Sequence, residues 1–139
     1  MSDSVLKADP SEVFPPLPRA RSVNAVLGEL NGLVSECGLP NWDGHGARPV
    51  LAKTIRQAQR FVEALPPGTR APSVGAEPDG HVTLEWHRSA RQTLSVSISP
   101  DGELHYAALL GASKTYGTEA FFGDVPECIL VLISRVEPK

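Results

Sequence analysis

The residue types best suited to chemistry are gathered in one stretch, Asn41-Trp42-Asp43-Gly44-His45-Gly46-Ala47. Asp43 and His45 place a carboxylate and an imidazole two positions apart, an acid and a candidate base. Glycine-rich backbone beside them can turn its N–H groups towards an anion. A hydrolase built on this pair also needs a nucleophile. No Ser or Cys sits in a strand–turn–helix elbow, and an isolated Asp-x-His is a weak signal. The same residues make good turn chemistry. Asn and Asp bond back to nearby backbone, and Gly44 and Gly46 permit positive φ around His45. The stretch is expected to be a structural helix-to-helix turn, with Trp42 plugging the gap between two helices and a sheet. Asp43, His45 and the following Arg48 are its candidate binding residues.

Other chemistry is sparse. The 4 His are spread over a loop and different strands, with no Cys-x-x-Cys or His-x-x-x-His, so no metal and no other cofactor is expected. His81 and His105 share a sheet face but belong to strands that are not neighbours. Cys37 and Cys128 lie among apolar residues at helix ends and read as reduced thiols of a reducing compartment. Lys53, Arg56 and Arg60 with Arg48 could meet an acidic partner or a phosphate backbone, yet they read as a solvated helix face. A net charge of −3 and a pI near 5.8 argue against nucleic-acid and membrane-surface binding. No apolar run approaches the ~20 residues of a membrane span. The N-terminus lacks a positive-then-apolar signal pattern, so a cytoplasmic location is expected.

The elements that must position these residues follow from periodicity. Residues 1–21 read as a Pro-rich tail around Phe14-Pro15-Pro16-Leu17-Pro18, and residues 22–139 as a single α+β domain. Ser22 is a good N-cap and Gly38 a good C′ residue for a first helix with the stripe Val23, Val26, Leu27, Leu30, Leu33, Val34 and Cys37. Its other side carries a ridge of small residues, Ala25, Gly28, Gly32 and Ser35. A second helix runs from Leu51 to Leu65 over a seam of Leu51, Ile55, Ala58, Val62 and Leu65, and Pro66-Pro67 stops it.

From Ser73 to Glu119 the chain reads as an antiparallel meander punctuated by two copies of one turn, Pro78-Asp79-Gly80 and Pro100-Asp101-Gly102. If each is a three-residue loop, Glu77 faces His81, Ser99 faces Glu103, and Trp86 lies opposite Leu94. That register puts Val82, Leu84, Trp86, Leu94, Val96, Ile98, Leu104, Tyr106 and Ala108 on one face. A fifth strand over Lys114 to Glu119 is expected to be weakened by Gly117. The last helix starts at Asp124-Val125-Pro126-Glu127 with a capping-box-like pattern. Leu130 and Val131 add apolar residues to the sides of that helix that should be wet. They are the candidate contact with another chain, a protein partner or a second copy.

The string Asn41-Trp42-Asp43-Gly44-x-Gly46-Ala47 is joined by Pro49-Val50, Leu65-Pro66-Pro67, Val74-Gly75-Ala76-Glu77-Pro78-Asp79-Gly80, Leu84-Glu85-Trp86 and Gly117-Thr118-Glu119. Together they resemble a group of small uncharacterised bacterial proteins over about residues 35–135. The resemblance implies no activity. In that group the position of His45 is often Tyr, which implies that no obligate His chemistry resides there. The expected architecture is a two-layer α+β fold in the order ααββββ(β)α, a four- to five-stranded β-meander with helices on one face. The expected function is a non-catalytic protein-binding or regulatory module, an accessory subunit or an antitoxin- or immunity-like inhibitor. The alternative is a small hydrolase-type enzyme using the Asp43/His45 loop.

Overall fold

A computed structural model describes residues 22–137, so the Pro-rich tail lies outside the described residues. The elements follow in the order α1 (Val23–Cys37), α2 (Ala52–Glu63), β1 (Ser73–Ala76), β2 (Val82–Ser89), β3 (Gln92–Ile98), β4 (Glu103–Leu110), β5 (Ser113–Ala120) and α3 (Glu127–Val136). The strands form one antiparallel sheet in sequence order, β1-β2-β3-β4-β5, and the helices form the second layer of an α+β fold.

The two Pro-Asp-Gly turns set the register. Glu77 N donates to His81 O at 2.9 Å and Ser99 N to Glu103 O at 3.0 Å. Gly80 and Gly102 take φ of 89° and 83°, the left-handed conformation the turn needs. The side chains that finish the turns differ. Asp79 Oδ1 accepts from His81 N at 3.0 Å in the first, whereas Ser99 Oγ accepts from Asp101 N and Glu103 N in the second. Trp86 lies opposite Leu94 as expected, and a bulge follows between His87 and Ser89.

One face of the sheet is packed. Val82, Leu84, Trp86, Leu94, Val96, Ile98 and Leu104 are fully or almost fully buried beneath Ile55, Phe61, Val62, Ile129 and Ile133. Burying one such aliphatic side chain contributes roughly 1.5–3 kcal/mol. α2 packs on β2 and β3, α3 on β2, β3 and β4, and α1 on α2 and β1. Phe61 is central to this core and meets Phe121 at 5.6 Å between ring centroids.

Several local expectations change. Gly38 ends α1 with φ −87°, not in the left-handed region. Glycine is required there because a Cβ would run into the carbonyl oxygen of Val34. Leu51 is the exposed N-cap of α2 and not part of its seam, since the chain is still extended there. α3 starts at Glu127 behind Pro126, with no side-chain cap, so Asp124 does not cap it. The small-residue ridge of α1 receives no backbone of the described residues: a Cβ on Gly28 would meet nothing within 4 Å. Gly117 does not mark a weak strand. β5 is eight residues long, and Gly117 leaves room for the ring of its cross-strand neighbour Tyr106, which any Cβ would strike.

Candidate functional site

The Asn41–Ala47 loop is a closed hydrogen-bonded knot. Asn41 adopts φ 62°, Gly44 78° and Gly46 83°, conformations that Asn and Gly reach at least cost. Asn41 N donates to Ala47 O at 2.7 Å, and Gly46 N donates to Asn41 Oδ1 at 2.6 Å. Asp43 Oδ1 accepts from His45 N at 2.8 Å and from Ala47 N at 3.0 Å. The bond from the His45 amide is the main reason the Asp43 carboxyl lies below its usual range, with burial opposing and the Ala47 amide adding to it. A carboxylate held ionised by two backbone donors is a turn-former and a poor general acid.

The knot is anchored on both sides. Val50 N donates to Cys37 O at the end of α1, and Arg48 N donates to Pro78 O in the first hairpin turn. Gly80 lies close below, where a Cβ would come within 2.7 Å of Pro49 O. Trp42 is half-buried, not enclosed. Its Nε1 donates to Arg48 O at 2.7 Å while its ring packs against the core. The indole therefore ties the start of the loop to Arg48, whose own amide reaches the hairpin at Pro78. Asp43 and His45 come together through backbone, the His45 ring is exposed, and Arg48 contributes its main chain while its side chain points outward.

The two candidates on α3 separate. Leu130 is half-buried and packs against the core, whereas Val131 is 46% exposed. The apolar excess of this helix is thus absorbed on one side and reduced to Val131 on the other. Cys128 is half-buried and Cys37 buried, both free thiols. The neighbouring Cys128 thiol, then burial, pushes the Tyr106 phenol up from its ordinary value.

On the open face His81 and His105 meet across β3, with ring centroids 6.5 Å apart and planes 16° from parallel. Side chains lean far enough along the sheet to bridge the intervening strand at Ser97. His105 is bound between Glu103 Oε1 at 2.9 Å and Thr118 Oγ1 at 3.2 Å. His81 Nδ1 lies 3.5 Å from both Asp79 Oδ2 and Ser97 Oγ. Nearly parallel rings direct their nitrogen lone pairs side by side, not towards one ion. Among the described residues no group of three or more His, Cys, Asp or Glu is placed to hold a metal.

Sequence reasoning missed the most open element. Among the described elements β5 touches only β4; the Tyr106 ring lies over Gly117 on one face, and no described strand pairs with its outer edge. Tyr116 on this strand is 69% exposed, and Phe122, just beyond it, is 91% exposed. The sequence signal was a mostly polar strand with one aromatic inside it and another just beyond, where a one-sided strand would alternate apolar and polar. No helix among the described residues is long and apolar enough to cross a membrane. Comparison with family models, with curated proteins and with solved structures returns no match.

Proposed function

We propose that the protein is a non-catalytic protein-binding module, an accessory or inhibitor-type subunit that acts by occupying a partner. The observation that carries this reading is the outer edge of β5, an eight-residue strand that no other described strand pairs with, with two exposed aromatic side chains at and beyond it. Long uncovered edges invite pairing with another chain, and proteins that avoid such pairing shorten, cover or charge them. Val131 on α3 is a further exposed apolar position. The enzyme alternative loses support because one carboxylate oxygen of Asp43 accepts from the His45 and Ala47 amides, which holds the group as a turn-former.

Site-specific photo-crosslinking in the native cell tests it. A photoreactive phenylalanine replacing Tyr116 or Val131 is expected to capture a defined protein, and the same group replacing exposed Arg56 on α2 is not. Equal labelling from all three positions, or none from any, would overturn the reading. So would a turnover activity abolished by Asp43→Asn in a folded protein.

A further inference from the structure

We propose that the occupant of the β5 edge is a second copy of this chain, paired antiparallel across a twofold axis into a continuous ten-stranded sheet. The inference rests on reading β5 as a protein-binding edge and adds who binds there.

The hydrogen-bonding parity of the edge comes first. Phe121 N donates to Gly102 O at 2.9 Å, and the β4–β5 register continues from Leu104 opposite Glu119 to Leu110 opposite Ser113. In an antiparallel ladder, alternate residues turn both main-chain groups to the same neighbour. Odd-numbered residues of β5 therefore serve β4. Lys114, Tyr116, Thr118 and Ala120 present their N–H and C=O groups to the free edge.

A twofold axis perpendicular to the sheet pairs residues on the same face. Centred on Gly117, it sets Lys114 against Ala120 of the other copy and Tyr116 against Thr118, so all four outward residues find partners. Continuing the same register sets Phe122 against Ala112 of the other copy, beside Gly111. The most exposed large apolar side chain thus meets the smallest residues of the hairpin.

Charge selects the same arrangement. The two ends of β5 differ in sign. Arg91 and Arg135 border one groove with Gly111 at the hairpin end, where Lys114 also lies. Asp101, Glu103 and Glu119 border another groove at the opposite end, which Phe122 also lines. Lys53 offsets Asp101 in part, at 3.5 Å. Antiparallel self-pairing brings the basic end of each sheet beside the acidic end of the other. Parallel pairing would place like against like.

Sedimentation velocity on the purified chain is the test, with two variants. Thr118→Pro deletes an outward N–H while leaving the bonds to β4, since proline is tolerated on an edge. Phe122→Glu alters a side chain that is 91% exposed in the single chain. The wild type is expected to sediment as a dimer that weakens with added salt. Thr118→Pro should be a folded monomer, and Phe122→Glu should raise the dimer dissociation constant at least tenfold. Amide exchange at Lys114, Tyr116, Thr118 and Ala120 should slow as protein concentration rises. A monomeric wild type at high concentration overturns the proposal, and so does a dimer unaffected by either variant. A monomer that still crosslinks a different protein through position 116 would sink the second copy and leave the protein-binding reading standing.

Discussion

The Asn41–Ala47 loop and β5 invert what their compositions advertise. The loop holds an acid, an imidazole and three residues with positive φ, yet the side-chain oxygens of Asn41 and Asp43 are spent on its own backbone. β5 is a plain run of Ser, Lys, Thr, Tyr, Gly, Glu and Ala, yet no described strand pairs with its outer side. Reactive residue types indicate a site only when their donors and acceptors are left over after folding. Strands indicate one when the fold leaves an edge unpaired.

The comparison breaks first at Trp42 if the loop is not structural. Trp42→Ala is expected to cost about 2–3 kcal/mol in denaturant unfolding, less than a fully buried Trp because the ring is only half-enclosed. An unchanged midpoint would free the loop for a binding role. Gly80→Ala comes next. Its φ of 89° and the close approach to Pro49 O predict a loss of about 1–2 kcal/mol, with the loop undocked from the hairpin.

A smaller and pH-dependent effect belongs to Asp43. Its folded carboxyl is depressed, so the stability it contributes is present above the unfolded value of about 3.9 and is lost as pH falls through the lower folded value. Asp43→Asn keeps an amide oxygen for the turn and should flatten the acid limb of a melting-temperature profile below about pH 4. A variant profile superimposable on the wild type would show that the carboxylate charge is idle. The smallest effect is that of His45→Tyr, expected within about 0.5 kcal/mol of wild type because the ring is exposed and the glycines set the backbone. A larger loss would sharpen the comparison in the other direction and give the imidazole a role.

Much of the fold was legible because two kinds of local information agreed. The Pro-Asp-Gly turns pinned the register, and the alternation of Val82, Leu84 and Trp86 against Leu94, Val96 and Ile98 fixed the face. Phe61 was overlooked in the α2 seam, although Ala58, Phe61, Val62 and Leu65 show the helical spacing that would have found it. Trp42 packs against the core as its residue type implies, but residue type does not say where its N–H finds a partner. The exposure of β5 was hinted at only by Tyr116 and Phe122 among polar residues, and its position at the sheet edge was not legible. Which strands a helix layer covers depends on where that layer is centred, and here α1 extends it over β1 at the other edge. The apolar surplus at Leu130 was real in the sequence. It was absorbed because the core reaches further around α3 than a narrow stripe implies.

The strand order has a kinetic consequence. Every sheet pairing joins sequence neighbours, so each ladder closes across a short loop at low entropic cost, and the contact order of the sheet is low for its strand content. The central hairpins can zip early, while the return of α3 onto β2 and β3 closes the longest loop. Substitutions under α3, such as Ile129→Val, should then act mainly on the unfolding rate, and substitutions at Leu94 or Val96 mainly on the folding rate. β5, held on one side alone, should be the last strand to join and the first to fray.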